Sequence, residues 1–363
     1  MARKLAGAAL APFRRKLLAW YRSAKRDLPW RRTRDPYRIW LAEIMLQQTR
    51  VAAVIPYYER FLDRFPTMES LAHASIESVL RLWSGLGYYS RARNLHRAAQ
   101  EIVARHASQF PRDWDAALAL PGIGRYTAAA ILSIAYNERH AVLDGNVARV
   151  FARLDAIRGD LRAPRRWQAL ETRAQELLAQ RAPGDWNQAT MELGATVCLP
   201  KAPRCNACPV RPWCRAAALG IAEELPAARK KLRTVRVTLA AAVFLDPRGR
   251  TLVLRSNAAE AALFSRLWQF PAVEAGGDPR KALASHLKSE FGLRDLSFEP
   301  AGDSRHSVTF RQIRLAAFLV RVKSLPRVAG AKTPKLGDLH HLPISNATRK
   351  IAGQVRLLLS RRR

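Results

Sequence analysis

All four cysteines of this 363-residue chain, Cys198, Cys205, Cys208 and Cys214, fall in one short segment spaced C-x6-C-x2-C-x5-C. No other feature restricts the fold as tightly, because thiols this close along the chain must share one local structure. A disulfide framework would be distributed through a small secreted chain, whereas clustering in a large one points to a metal and a reducing compartment. Structural zinc commonly uses two C-x2-C knuckles set well apart. One tight run with unequal gaps can instead wrap a cubane and give each iron one thiolate. The spacing favours a [4Fe-4S] cluster, with zinc as the alternative.

Charge narrows the partner. The chain carries 62 Lys plus Arg against 29 Asp plus Glu, a net charge of +33, which suits a polyanion such as DNA or RNA. An acidic membrane is the competing partner, but no apolar run approaches the roughly 20 residues that a spanning helix requires. The stretch from Met1 to Ala11 has only a short Ala/Gly-rich apolar part, followed at once by Arg14-Arg15-Lys16. Export is therefore not expected, and a cytoplasmic setting is. The length suits about two domains at roughly 150 residues each.

Leu120-Pro121-Gly122-Ile123-Gly124-Arg125-Tyr126-Thr127 precedes an apolar helix-like run, and Val142-Leu143-Asp144-Gly145-Asn146-Val147 follows it. Gly122 and Gly124 let the backbone present uncovered N–H groups. The amides that open the next helix suit an anion such as a phosphate. A plain helix-turn-helix corner would read the same way.

Upstream, Ile39 to Thr49 is helical in composition and almost entirely apolar, and Glu43 is its only charge. At helical spacing Ile39, Glu43, Leu46 and Gln47 share a face, so desolvation would favour the protonated carboxyl that a general acid needs. A buried structural glutamate paired with an arginine is the alternative. Trp30-Arg31 could stack on a base or cap a helix. Gly85-Leu86-Gly87-Tyr88-Tyr89-Ser90 reads as a loop able to push a wedge into a base stack, or as a turn with aromatic packing. Arg204, Arg211 and Arg215 around the cysteines suit phosphate contact or a solvated rim.

Helical periodicity recurs in Phe13–Arg22, Val51–Phe65, Ile76–Trp83, Arg91–Ala104, Trp114–Leu118, Trp167–Gln180 and Asn187–Thr196, so the first part is all-α. Residues 220–234 read as a charged, proline-broken linker. Beyond it, strands at Val235–Leu239 and Thr251–Leu254 flank the turn Asp246-Pro247-Arg248-Gly249. An amphipathic run Pro279–Phe291, a strand-rich Val308–Val322 and a last helix Thr348–Leu359 complete an α+β module.

Taken together, Leu41–Thr49, Gly85–Leu95, Leu120–Thr127, Leu143–Val147 and the cysteine spacing resemble the adenine DNA glycosylase family, MutY, in that family's order. The resemblance implies a mainly α helix-hairpin-helix glycosylase core with an iron-sulfur loop. In it a six-helix domain spans residues 31–136, and residues 1–30 with 137–219 form the cluster domain holding one [4Fe-4S]. Residues 235–363 resemble the family's MutT-like, Nudix-fold domain, with too few carboxylates in the run Ala282–Gly292 to hold magnesium.

The implied activity is removal of adenine paired with 8-oxoguanine or guanine in duplex DNA. Glu43 would protonate the base, Asp144 would stabilise the sugar cation, and Asn146 would orient Asp144 or water. Tyr126 stands where strand-cutting relatives carry a lysine, and a phenol forms no Schiff base, so little lyase activity is implied. Trp30, Arg31, Leu46 and Gln188 would line the adenine pocket. Gln48, Thr49, Leu86, Tyr88, Ser90 and Thr309 would meet the opposite lesion. In Val308-Thr309-Phe310, Thr309 keeps the hydroxyl of the family's Phe-Ser-His, but the flanking ring and imidazole are missing or displaced. Leu120, Gly122, Gly124 and Arg125 would form the phosphate hairpin. By resemblance the protein is a nucleoid-associated bacterial monomer that meets replication or repair proteins.

Overall fold

The computed structural model describes residues 5–227, 234–255, 267–308 and 311–361. The backbone divides into two compact units. Met1–His73 and Asn94–Lys230 form the first; Ala74–Arg93 and Lys231–Arg363 form the second. A short internal segment, residues 74–93, groups with the C-terminal part.

The described part of the first unit is helical throughout. Helix Pro36–Leu46 starts where Asp35 accepts the backbone N–H groups of Tyr37 and Arg38 and Pro36 presets the first turn. Eight of its residues are buried, consistent with its apolar composition. It packs against helix Arg125–Tyr136. Helix Pro183–Thr196 is the hub, touching Leu10–Ala24, Arg125–Tyr136 and Gly145–Leu154. That closeness depends on Gly194, since a Cβ there would lie 2.9 Å from the Cβ of Asn146. The expected start at Asn187 is too late, because Pro183 opens the helix one turn earlier.

In the second unit β1 (Val235–Leu245), β2 (Leu254–Arg255), β3 (Trp268–Gln269), β4 (Ala272–Glu274), β5 (Glu299–Val308) and β6 (Arg311–Arg321) build two sheets, ordered β4-β1-β6-β5 and β2-β3. β1 runs parallel to β6, while β4 and β5 are antiparallel to their neighbours. Successive residues of β1 enter opposite cores: Ala240, Ala242 and Phe244 meet Leu283 and Leu287, and Ala241, Val243 and Leu245 join Ile351 and Val355. A strand covered on both faces needs such a continuous apolar run. The helices that cover it are Pro279–Phe291, capped by Asp278, and Asn346–Ser360, capped by Ser345. The strand expected over Thr251–Leu254 shrinks to an isolated bridge at Val253 and the two residues of β2. No helix among the described residues is long and apolar enough to cross a membrane.

Candidate active site

Inside the first unit lies a cavity of about 210 Å³. Its walls include Trp30, Arg31, Glu43, Leu46, Tyr126, Asp144, Asn146 and Gln188. The four residues expected to do chemistry and the four expected to hold adenine therefore share one space.

Glu43 reaches the cavity from a helix in which Arg38 is the only other charged residue, and it is 6% exposed. Burial raises its pKa to about 7, with the charge of Asp144 adding to the rise; a hydrogen bond from Tyr126 and the charge of Arg31 oppose it. The Tyr126 hydroxyl donates to Glu43 Oε2 at 2.9 Å and lies 3.2 Å from Met191 Sδ. Burial, with Glu43 close by, holds that phenol well above its usual range. The pair thus consists of a carboxyl poised to carry a proton near neutrality and a phenol that keeps its own.

Asp144 is the N-cap of helix Gly145–Leu154. Its Oδ1 accepts the backbone N–H groups of Asn146 at 2.9 Å and Val147 at 2.7 Å, and its Oδ2 accepts Asn146 Nδ2 at 3.2 Å. Three converging donors and the positive end of the helix suit a carboxylate anion. Asn146 is itself fixed, since Arg149 Nη2 donates to its Oδ1 at 3.0 Å.

The sequence reading missed Arg26, Met191 and Glu192, which also line the cavity. Glu192 is fully buried, and its oxygens take Arg26 Nε and Nη2 and Arg31 Nη2, each at 2.7 Å. Burial pushes its pKa up, but the hydrogen bonds from the two arginines prevail and hold it at about 2. The available signal was its position one helical turn after Gln188 on the same face. Arg31 is thereby committed to an ion pair, and its guanidinium also sits 5.6 Å from the ring centre of Tyr21. Trp30 is buried, with its ring edge-on to Tyr58 at 5.4 Å.

The two glycines of the hairpin differ in their surroundings. Gly122 has a φ of 78°, and a Cβ there would lie 2.7 Å from that of Asn94, so the turn needs glycine. A Cβ on Gly124 would meet nothing within 4 Å, and as N-cap of Arg125–Tyr136 this glycine offers no side-chain cap. The first amides of that helix are thus left to an outside acceptor. Leu120 is buried beneath the turn, and Arg125 is exposed, 3.5 Å from Glu171.

The residues expected opposite the lesion are spread over the chain. Thr49 lines the cavity of the first unit. Gln48 is exposed with a φ of 58°, a conformation that costs a side-chain-bearing residue about 1–3 kcal/mol. In the second unit Leu86 is 7% exposed and Tyr88 38%, so the tyrosine is the outward side chain of that loop. Ser90 is exposed at the start of helix Ser90–Arg105. Thr309 lies outside the described residues.

Cys198, Cys205, Cys208 and Cys214 are half-buried, free of disulfides, and line one small cavity. Burial pushes the Cys208 thiol up to about 12, and the other three cysteines add to the rise. Thiols that repel one another in this way are stabilised as thiolates only by shared positive charge, which a metal centre supplies. Among the described residues no three His, Cys, Asp or Glu side chains come together closely enough for a single ion. Four thiols lining one small cavity form a set of soft donors that suits a metal centre. Helix Gly145–Leu154 serves this segment as well as Asp144. Arg149 Nε donates to Cys198 O at 2.9 Å, and Arg153, 1% exposed, donates to Leu199 O at 2.6 Å and lies 3.3 Å from Cys198 Sγ.

Residues 41–178 match the family model described as HhH-GPD superfamily base excision DNA repair protein. The matched stretch contains Glu43, Tyr126, Asp144 and Asn146. A solved structure of a thermostable thymine-DNA glycosylase is 28% identical with a TM-score of 0.53, covering 58% of this chain and 97% of its own. A trapped endonuclease III–DNA covalent intermediate, 21% identical with a TM-score of 0.50, shares the fold.

Several curated proteins similar to this chain are adenine DNA glycosylases. That of Rattus norvegicus is 50% identical over 213 residues, covering 56% of this chain and 41% of its own length. The Homo sapiens protein is 49% identical over 218 residues, covering 58% and 40%. The Arabidopsis thaliana protein is 36% identical over 332 residues, covering 76% and 50%. The chain thus spans half or less of the length of these relatives.

Proposed function

We propose that the protein is a monofunctional glycosylase that hydrolyses the N-glycosidic bond of adenine paired with 8-oxoguanine or guanine in duplex DNA. The observation that carries this reading is a protonatable Glu43, raised to about 7, sharing one cavity with Asp144. A nucleobase inside a duplex is out of reach, so adenine must be flipped into the cavity. Glu43 then gives its proton to N7, the C1′–N9 bond breaks, and its electron pair leaves with the base. Asp144 stabilises the resulting sugar cation until water adds to C1′ and loses a proton. The division of labour parallels two-carboxylate glycoside hydrolysis, in which one acid is kept neutral and the other ionised. Tyr126 holds the Glu43 carboxyl in place, and as a phenol it cannot form the imine that leads to strand cutting.

The uncapped amides after Gly124 would take a DNA phosphate. The cysteines would hold one [4Fe-4S] cluster, whose bonds to four thiolates would fix the fold of the segment from Cys198 to Cys214. The C-terminal unit, which resembles MutT-like domains in sequence, would read the base opposite the adenine. We infer a cytoplasmic monomer, a setting supported by four cysteines without disulfides.

A second reading has a specific observation behind it, the likeness to the thymine-DNA glycosylase structure. Excision assays on A:8-oxoG, A:G, A:C and T:G duplexes, with and without alkali, separate the two for wild type and Glu43→Gln. The proposal expects adenine release from A:8-oxoG and A:G, strand breaks only after alkali, and a silent variant. Activity confined to T:G, or full adenine excision by the variant, would overturn it.

A further inference from the structure

The loop assigned to the opposite base is held from far along the chain. Its backbone is unusual, with φ of 114° at Gly85, 73° at Gly87 and 48° at Tyr88. Tyr88 adopts such a conformation only where its surroundings over-determine it. Part of the restraint is local. Arg91 Nη2 donates to the carbonyls of Leu86 at 3.4 Å and Gly87 at 3.2 Å, and its guanidinium lies 5.4 Å from the ring centres of both Trp83 and Tyr88.

The rest comes from the segment that opens helix Asn346–Ser360. Ser84, 6% exposed, donates from Oγ to Ile344 O at 2.9 Å, and the Tyr89 hydroxyl donates to the same oxygen at 3.0 Å. That hydroxyl also accepts Gly85 N–H at 3.3 Å, while Asn346 Nδ2 donates to Gly85 O at 2.9 Å. Both polar groups of the Gly85 peptide backbone are thereby engaged. Arg349 Nη2 donates to Ser84 Oγ at 2.7 Å. With Ser345 capping the helix, Asn346 and Arg349 sit three residues apart on one face. At the far end of helix Ile76–Trp83, Glu77 pairs with Arg255 at 2.8 Å and Lys332 at 4.0 Å.

We propose that Asn346 and Arg349 are positioning residues that set the Ser84–Tyr89 loop, so that discrimination of the base opposite adenine is built into the C-terminal unit. This inference rests on the reading of Leu86 and Tyr88 as opposite-base contacts. It explains why a loop from the middle of the glycosylase sequence groups with residues some 260 positions away. Neither residue lines the cavity around Glu43. Their loss should therefore change which pair is processed rather than the bond-breaking step.

The test is single-turnover adenine excision by the full chain on one duplex sequence with 8-oxoguanine or guanine opposite the adenine. Wild type, Asn346→Ala, Arg349→Ala and Arg349→Lys are compared. Taking the ratio of the two rates within each preparation cancels any loss of folded protein. Arg349→Ala should cut the 8-oxoguanine:guanine rate ratio about tenfold and Asn346→Ala by less, with Arg349→Lys recovering part of it. Ratios within about twofold of wild type in both alanine variants, including an equal slowing on both duplexes, would overturn the proposal. A wild type that releases adenine from neither duplex would instead sink the functional reading beneath it.

Discussion

The two walls of the active-site cavity carry the same residue type in opposite states. On helix Pro36–Leu46, Glu43 has apolar neighbours and one phenol, and burial raises it to about 7. On helix Pro183–Thr196, Glu192 is more deeply buried, yet Arg26 and Arg31 hold it at about 2. Burial alone therefore does not make a proton donor; burial without a cation in direct contact does. Arg31 bonds Glu192 directly and acts on Glu43 only through its field. One guanidinium thus holds Glu192 charged while its field only moderates the rise at Glu43.

Breaking the apolar wall should have the largest effect. Glu43→Gln removes the proton source and should slow adenine release on the order of a thousandfold, read by single-turnover kinetics. In wild type the rate should fall as pH rises through about 7, where Glu43 gives up its proton. The same group sets a stability trend. Unfolded chains ionise Glu43 near 4.5 and the folded protein only near 7, so between these values the folded state holds the extra proton. The contribution is full below 4.5 and lost as pH rises through 7, a swing on the order of 3 kcal/mol. Glu43→Gln should therefore gain thermal stability relative to wild type between about pH 5 and about pH 8. A constant gap across that range would show that Glu43 is not raised.

The arginine wall predicts the reverse trend at a smaller cost to function than to folding. Glu192→Gln leaves Arg26 and Arg31 without their carboxylate and should destabilise the protein by on the order of 3 kcal/mol at neutral pH, measured by denaturant unfolding. Here the folded pKa lies below the unfolded one, so the stabilisation exists above about 4.5 and disappears as pH falls towards about 2. The gap between wild type and variant should close over that interval. A gap that persists to the lowest pH would mean packing, not charge, accounts for the loss.

The difference between the walls also separates what was readable in the sequence from what was not. Glu43 stood out as the only charge in an apolar helical run, and Asp144 as an acid directly before a helix start; both signals are local. Glu192 carried no such mark, because its meaning comes from Arg26, 166 residues earlier, and that contact exists only after folding. The hold of Asn346 and Arg349 on Ser84 and Gly85 was hidden for the same reason. The loop from Gly85 to Ser90 read as a wedge or as an aromatic turn, and nothing in its spacing said that Leu86 would be buried and Tyr88 outward. Helices were found from period 3.6, whereas β2 and β3, two residues each, are too short to show an alternating pattern.

Tyr126→Phe sharpens the comparison with the smallest expected change. Among the described residues the phenol is the one side chain seen to donate to Glu43, and its bond to Oε2 favours the ionised form, lowering a pKa that burial has raised. Phenylalanine keeps the ring and the desolvation but deletes that donor. Glu43 should then hold its proton to higher pH, so the alkaline limb of the rate profile should move upward while the maximal rate changes only a few-fold. If the limb moved downward, the hydroxyl would be acting on the protonated carboxyl, and Tyr126 would need to be placed among the groups that keep the acid neutral. An unmoved limb would assign it to a group other than Glu43, removing the reason for treating the two walls as opposites.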